Sequence, residues 1–293
     1  MVHIPAADSC RERFGMAKAS IGELLAAKGK RQLTMTNAAD YNTARAAAEA
    51  GIDLILARGI TDEHQIGPVL DQIVTGAPQT VIVCNLPPTV AYVSDAEAIR
   101  AAMIARDHGA DIIYSSGNSL RRFEAMAEVG INCGGHVGLV PMRASREGGL
   151  GARGKTLEQA LRIYEETLAF QKAGAVIVEM ECVAADIAAE ITRRVDILVM
   201  SLGSGSGCDG QFLYSTDLLG FHEPRFLGLG KPYSGPLPRH ARRYADLFEE
   251  AKRGFAAFRA DVDRGDFPGP TETIRVDEAV VAAFRSRVDG PSS

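Results

Sequence analysis

The sequence predicts an α/β protein that folds as a (β/α)8 barrel, also called a TIM barrel, and three features support this class. Eight short apolar segments rich in β-branched residues recur along the chain, as expected for buried parallel strands. Segments with helical periodicity separate most of them, and regular strand–helix alternation indicates a parallel sheet. No GxGxxG motif follows the first predicted strand, which disfavours the alternative, a doubly wound open sheet.

The first half of the barrel is predicted from four strand–helix units. Apolar runs predict strands over 32–36, 53–57, 80–84 and 111–114. Helical patterns follow over 39–50, 62–74, 94–108 and 119–129. The helix over 39–50 is rich in alanine and ends at Gly51, while Gly109 and Gly130 end later ones, as is common at helix C-termini. Ser94 is a typical N-cap.

The second half continues the strand–helix alternation and is followed by a C-terminal tail. Strands are predicted over 132–139, 174–183, 196–201 and 211–214, with helices over 156–173 and 184–194. The Gly-rich loop 203–210 has no closing Gly-x-x-Gly, so it is a weak phosphate-loop signal and favours a barrel loop.

Residues 1–30 are expected to form an N-terminal extension with a helix over 11–28. Residues 31–293 are expected to form a single barrel domain whose C-terminal tail is helical, notably over 238–258.

Composition excludes several classes of function. The chain has 293 residues, of which 46% are hydrophobic, and a formal net charge of -5 without a basic block, which argues against nucleic-acid binding. No apolar run is long enough to span a membrane, and no signal peptide is visible at the start. The five cysteines form no CxxC pair, which is typical of a reducing cytosol. We therefore expect a cytoplasmic protein that binds neither nucleic acid nor membrane.

Two carboxylates at the end of the predicted strand 174–183 are the first candidates for chemistry. Glu179 and Glu181 are two residues apart, so they share one face of a strand. The C-terminal ends of barrel strands carry active sites, which favours a role for Glu181. The alternative is that both acids are solvated where the strand runs into its loop. Glu179 is expected one layer deeper as a structural residue, and repulsion between two interior acids would raise one pKa.

Several short strings, taken together and in order, resemble the ketopantoate hydroxymethyltransferase family of the phosphoenolpyruvate mutase and isocitrate lyase superfamily. They extend over roughly 33–268, and the ordered set is far more specific than any one string. The strings are Asp40-Tyr41, Gly135-His136-Val137-Gly138-Leu139-Val140-Pro141, Gly148-Gly149 with Arg153-Gly154-Lys155-Thr156, Glu181-Cys182-Val183, Gly203-Ser204-Gly205 with Cys208-Asp209-Gly210-Gln211, Tyr244-Ala245-Asp246-Leu247, and Gly265-Asp266-Phe267-Pro268.

The resemblance implies a barrel enzyme that adds a hydroxymethyl group from methylenetetrahydrofolate to a branched 2-oxo acid. In the family a magnesium ion holds the oxo acid and lowers the free energy needed to form its enolate. The base glutamate of the family matches Glu181, and the histidine of its Gly-His-x-Gly-Leu motif matches His136. The resemblance also implies a homo-oligomer, with a decamer as the expected size. The segment 227–238 is longer than the family's connection and is expected to change a subunit contact or cover the barrel mouth.

The chain departs from the family at the metal and carboxylate positions. Where the family has Gly-Asp-Ser after its second strand, this chain has Arg-Gly-Ile, so the metal-binding aspartate corresponds to Gly59 and the carboxylate-binding serine to Ile60. The second metal aspartate, in Asp-Leu-Pro after the third strand, corresponds to Asn85. The Lys-x-Glu of the fourth strand corresponds to 114–116, so Tyr114 replaces the lysine and Ser116 the glutamate.

These departures predict a site without the family's metal. Three acids are replaced by neutral residues, while Arg58 adds a permanent positive charge that could clamp an anionic substrate. The alternative for Arg58 is an ordinary surface position, because strand alternation leaves its direction uncertain by one residue. The predicted catalytic residues are Glu181 and His136. The predicted substrate-binding residues are Arg58, Asn85, Tyr114, Ser115 and Ser116, each weighed against plain packing or loop roles.

Three hypotheses for function follow. The first is a hydroxymethyltransferase-like enzyme that makes or breaks a C–C bond on a small 2-oxo acid or related carboxylate, with an altered substrate and without the family's metal site. The second is a metal-independent acid–base hydrolase, lyase or transferase of a secondary pathway on the same barrel. The third is a non-catalytic relative that binds a ligand or forms assemblies. No cofactor is certain from the sequence, since magnesium and methylenetetrahydrofolate are implied only by the resemblance.

Overall fold

A computed structural model describes residues 18–91, 93–115, 119–221, 225–226, 232–233 and 238–288. The chain divides into two compact units. The first comprises residues 1–219 and 223–244, and the second comprises residues 220–222 and 245–293. No helix in the described part of the chain combines the length and apolarity needed to cross a bilayer.

The first unit contains a closed barrel of eight parallel strands, each hydrogen-bonded to the next, with the last paired to the first. This arrangement confirms the predicted (β/α)8 class. The strands are β1 Leu33–Ala38, β2 Leu54–Ala57, β3 Val81–Asn85, β4 Ile112–Tyr114, β5 Cys133–Gly138, β6 Ala175–Glu181, β7 Leu198–Leu202 and β8 Gly210–Phe212. A short antiparallel pair, β9 Arg225–Phe226 and β10 Pro232–Tyr233, follows the barrel.

Helices connect the strands as the periodicity predicts. They are Ile21–Ala26, Tyr41–Glu49, Ile66–Gly76, Pro88–Ala91, Asp95–Asp107, Leu120–Glu128, Leu157–Lys172, Ala185–Thr192 and Ser215–Leu219. Short 3-10 turns occur at Glu63–Gln65 and Pro141–Arg143. The predicted N-cap is confirmed, since the Ser94 side chain accepts a hydrogen bond from the backbone N–H of Glu97.

Two apolar layers follow from strand alternation. Alternate strand residues such as Leu54, Leu56 and Ile177 form a cluster inside the barrel. The intervening residues, such as Ile55 and Val178, pack against the helices in a larger outer cluster. The direction of each side chain at the mouth is therefore set by its register with these layers.

Some predicted element boundaries are wrong. The helix expected over 62–74 is a 3-10 turn followed by a helix that begins at Ile66, and the first helix within the described residues begins at Ile21, capped by Ser20. Residues 1–17, which include part of the helix predicted over 11–28, lie outside the described residues. Most of the segment 227–238 also lies outside them.

The C-terminal tail is helical, but its first helix begins later than predicted. Residues 238–246 are not helical, because the backbone N–H of Tyr244 donates to the carbonyl of Leu218, 2.8 Å away, instead of closing a helical turn. Within the second unit, helices span Leu247–Arg264 and Glu278–Val288. Asp246 caps the first of these by accepting a hydrogen bond from the N–H of Glu249.

Candidate active site

Both glutamates at the end of β6 point into the barrel. They share the alternation of Ile177, which belongs to the interior cluster. Glu179 is 5% exposed and lies deeper, and the Glu181 side chain, nearer the mouth, is 14% exposed. This placement is the one predicted from their two-residue spacing. A carboxylate so deeply buried needs hydrogen bonds or a neighbouring positive charge.

His136 lies beside these two acids because β5 pairs with β6. The Cα of His136 is in register with that of Glu179. Its side chain is 3% exposed, and Nε2 lies 3.1 Å from Oε2 of Glu181. Two residues on, Gly138 has a φ of +86°, and a Cβ there would clash with the backbone carbonyl of Glu181. The close approach of β5 to β6 at the mouth therefore requires glycine at this position.

Tyr114 completes the cluster from β4. Its hydroxyl donates to Oε2 of Glu179 at 2.6 Å and lies 2.9 Å from Nδ1 of His136. All three side chains are buried. Tyr114 therefore contacts both Glu179 and His136, while His136 in turn faces Glu181, so that four polar groups form one continuous chain inside the barrel.

Burial and charge perturb the titration of this cluster. Burial raises the pKa of Glu179 above its ordinary value, and the Glu181 charge adds to this, while His136, the Tyr114 hydroxyl and Arg58 act against it. Burial alone would lower the pKa of His136, but Glu179 and Glu181 outweigh it, so this pKa is raised. The predicted repulsion between the two acids thus contributes, although burial is the larger cause for Glu179.

Arg58 follows the inward alternation of Leu54 and Leu56 and lies just beyond the end of β2. Its guanidinium carbon is 4.8 Å from the centre of the Tyr214 ring, a cation–π distance. Its charge also acts on Glu179. The alternation and the stacking direct Arg58 to the barrel mouth, where its side chain remains solvent-exposed.

The remaining predicted substrate contacts have different placements. Asn85 is half-buried at the end of β3, with the inward alternation of Val83, and its Cα is in register with Tyr114. Ser115 is buried but shares the alternation of Ile113, which packs in the outer layer, so the strand pattern directs it away from Tyr114. Ser116 lies outside the described residues. The binding roles of these three residues stay predictions.

The structure offers two places to look for metal ligands. At the positions that correspond to the family's metal acids, Gly59 carries no donor and has a φ of +91°, and Asn85 carries an uncharged amide. One potential ligand atom from each of His136, Glu179 and Glu181 lies within 4.8 Å of the others. This second set could hold a cation at a place different from the family's.

A cysteine beside the site has the wrong environment for a nucleophile. Cys182 has a φ of +50°, and its Sγ lies 3.8 Å from Nδ1 of His240. Burial, with the Glu181 charge, raises the pKa of its thiol to about 11. A thiol in this state is mostly protonated at neutral pH and reacts poorly.

Sequence reasoning missed three features of the site. Tyr214 was not recognised as a partner of Arg58, although it lies two residues after the inward Phe212, a spacing that could have identified it. Glu179 is expected from the sequence mainly as a structural residue, and its hydrogen bond from the Tyr114 hydroxyl has no local sequence signal. The contact of His240 with Cys182 has no sequence signal, because it joins residues far apart in the chain.

Comparisons with known proteins agree with this architecture. A family model described as Ketopantoate hydroxymethyltransferase matches residues 18–270. The chain is 31% identical over 291 residues to a 3-methyl-2-oxobutanoate hydroxymethyltransferase of Nitratidesulfovibrio vulgaris, covering 94% of this chain and 91% of the relative. It is 33% identical over 272 residues to one from Chloroflexus aurantiacus, covering 87% of this chain and 92% of the relative.

Solved structures support the fold alone. One titled 2,3-dimethylmalate lyase, a PEP mutase/isocitrate lyase superfamily member, has a TM-score of 0.52 at 12% identity and covers 93% of this chain and 100% of that one. A phosphonopyruvate hydrolase has a TM-score of 0.53 at 11% identity, with 94% and 97% coverage. At such identities the similarity carries no information on the substrate.

Proposed function

The chain belongs to the ketopantoate hydroxymethyltransferase family, and on that premise we propose that it makes or breaks a C–C bond beside the keto group of a small 2-oxo acid or related carboxylate. One observation carries the proposal: Glu181 and Nε2 of His136 are 3.1 Å apart at the barrel mouth. A paired acid and base at the C-terminal end of barrel strands suits proton transfer to or from a bound substrate.

Arg58 is the anion-binding residue of this proposal. A guanidinium binds a carboxylate through two parallel hydrogen bonds, and stacking on Tyr214 restricts its orientation before the substrate arrives. Its inward alternation at the end of β2 directs it toward the mouth. The substrate carboxylate would therefore lie above Arg58, with the rest of the molecule toward β5 and β6.

Glu181 is the base. Its carboxylate takes a proton from the carbon next to the keto group, and the electron pair left on carbon delocalises to the keto oxygen as an enolate. Because the neighbouring acids raise the pKa of His136, its imidazole stays protonated to a higher pH than usual. It therefore provides positive charge near the developing oxyanion. In bond making this step comes first; in bond breaking the same enolate forms when the C–C bond is cleaved, and Glu181 then returns a proton to the carbon.

The residues do not fit a magnesium site of the family's kind. Gly59 offers no side chain and Asn85 no charge at the corresponding positions, whereas magnesium prefers carboxylate and other oxygen ligands in near-octahedral geometry. We infer that Arg58 takes over the charge that the family's metal supplies to the substrate carboxylate. No step of the proposal passes through a metal.

Solvent exchange tests the proposal without any carrier of one-carbon units. The protein is incubated in D2O with 3-methyl-2-oxobutanoate, the compound in the names of the relatives, and with a panel of other 2-oxo acids. Deuteration of the methine collapses the methyl doublet in the proton NMR spectrum. We expect exchange with at least one acid, its loss in Glu181→Gln, and no change in the exposed control Glu158→Gln.

Absence of exchange with every 2-oxo acid would contradict the proposal and favour an acid–base enzyme on another carboxylate, or a non-catalytic relative. Where exchange is seen, addition of methylenetetrahydrofolate distinguishes transfer from simple exchange, because only transfer yields a hydroxymethylated product.

We further propose the cytoplasm as the compartment and a homo-oligomer, with a decamer as the size that the family suggests. Analytical ultracentrifugation of the purified chain checks the assembly.

A further inference from the structure

The Tyr114 hydroxyl joins two groups that the proposed reaction does not otherwise connect. It lies 2.6 Å from Oε2 of Glu179 and 2.9 Å from Nδ1 of His136, inside the barrel. Glu179 is too deep to be the proton acceptor proposed for Glu181, and its other oxygen, Oε1, has no hydrogen-bond partner among the described residues. An acid buried with half of its acceptors unused is costly for stability, which points to a role beyond folding.

The number of protons fixes the direction of these hydrogen bonds. A tyrosine hydroxyl has one proton, and an ionised carboxylate can only accept. When Glu179 is ionised, Tyr114 donates to it and the Tyr114 oxygen accepts from His136, so Nδ1 carries a proton. Nε2 then faces Oε2 of Glu181 at 3.1 Å. A lysine, which the resemblance implies at position 114, has three donors and no acceptor and could not make this arrangement.

We propose that Glu179 is a positioning residue that acts through Tyr114: it fixes the His136 proton on Nδ1, so that Nε2 is the ring atom that shares a proton with Glu181. The proton that the site can exchange with a substrate is thereby confined to the contact between Nε2 of His136 and the Glu181 carboxylate. The consequence for turnover rests on the proposed function. The hydrogen-bond direction itself does not, since it follows from the contacts of Tyr114 with His136 and with an ionised Glu179.

The direct test is the protonation state of the ring nitrogens. Histidine labelled with 15N is incorporated into the full chain, and long-range proton–nitrogen spectra distinguish a protonated from an unprotonated ring nitrogen. The chain has six histidines, and His136→Asn identifies the signals. We expect Nδ1 of His136 to be protonated. Glu179→Leu removes the acceptor, so the Tyr114 hydroxyl turns to Nδ1, which then carries no proton, and the ring keeps a proton on Nε2 alone.

Matched variants separate positioning from packing. Glu179→Gln keeps a side-chain oxygen of the same reach and is expected to restore the original state. Tyr114→Phe removes the bridge and, like Glu179→Leu, is expected to release Nδ1, which gives a second route if one variant does not fold. An unprotonated Nδ1 in the natural protein, or an unchanged ring state in every folded variant, would overturn the proposal. A divalent ion found on His136 by elemental analysis and by its nitrogen shift would also overturn it.

Kinetics provide the second readout. In the deuterium-exchange assay, Glu179→Leu is expected to lower kcat roughly 10- to 100-fold, part of the ~10²–10⁴-fold that acid–base catalysis contributes, with KM unchanged and activity recovered in Glu179→Gln. Equal changes in kcat and KM would indicate general damage and count against positioning. If no 2-oxo acid exchanges at all, the proposed function fails, while the nitrogen spectra still decide the arrangement.

Discussion

Replacement of Arg58 by methionine is the perturbation that most directly probes substrate binding. Methionine keeps a side chain of similar length and removes the guanidinium, which stacks on Tyr214 at 4.8 Å. A hydrogen bond to a charged group contributes about 1.5–3 kcal/mol. At about 1.4 kcal/mol for each tenfold change in Kd, this corresponds to roughly 10- to 100-fold weaker binding. Because Arg58 is solvent-exposed, we expect the lower part of this range at physiological salt.

The assay is calorimetric titration of 3-methyl-2-oxobutanoate into protein dialysed against EDTA. The corresponding methyl ketone, which lacks the carboxylate, is the matched ligand control and should be insensitive to the variant. Arg45→Met, at an exposed arginine paired with Glu49, is the matched protein control. An unchanged Kd in Arg58→Met, or an equal loss for the ketone, would refute the assignment of Arg58 as the carboxylate ligand.

Three further predictions concern neighbouring residues. Tyr214→Leu removes a cation–π contact worth about 0.5–1 kcal/mol and should weaken carboxylate binding about two- to fivefold by calorimetry, whereas Tyr214→Phe should not, and equal effects would contradict the stacking role. Burial raises the pKa of the Cys182 thiol to about 11, so this cysteine should be alkylated slowly at pH 7.5. The alkylation rate should rise about tenfold per pH unit up to that pKa, and a plateau near pH 8 would contradict this. Gly138→Ala should lower the free energy of unfolding, measured by urea titration, by about 2–5 kcal/mol, because the cost of positive φ adds to that of a clash with β6. Gly148→Ala is the control, since it has a similar φ of +82° but open space around it. It should lower the free energy of unfolding only by the cost of positive φ.

The barrel and its two interior acids could be predicted because their signals are local. Alternation over two residues directs Glu179 and Glu181 to one face wherever the strand lies. The direction of Arg58 could not be predicted, since it depends on where β2 ends within one residue. Its inward alternation became evident only when Leu54 and Leu56 were found in the interior cluster.

Long-range contacts account for most of what the sequence did not reveal. The bridge at Tyr114 requires three strands, β4, β5 and β6, to be in register, and the stacking of Tyr214 on Arg58 joins the segment after β8 to the segment after β2. The helix predicted from residue 238 begins at Leu247 because Tyr244 bonds to the Leu218 carbonyl. Periodicity within the tail contains no information about that distant acceptor.

The central claim is that Arg58, and not a divalent metal, holds the substrate while Glu181 removes its proton. The most direct test is the rate of methine deuteration of 3-methyl-2-oxobutanoate, measured in EDTA and again after addition of magnesium, together with elemental analysis of the purified protein. We expect equal rates in the two conditions and no bound divalent metal. Exchange that is absent in EDTA and restored by magnesium would contradict the claim and assign the family's metal-dependent reaction to this chain.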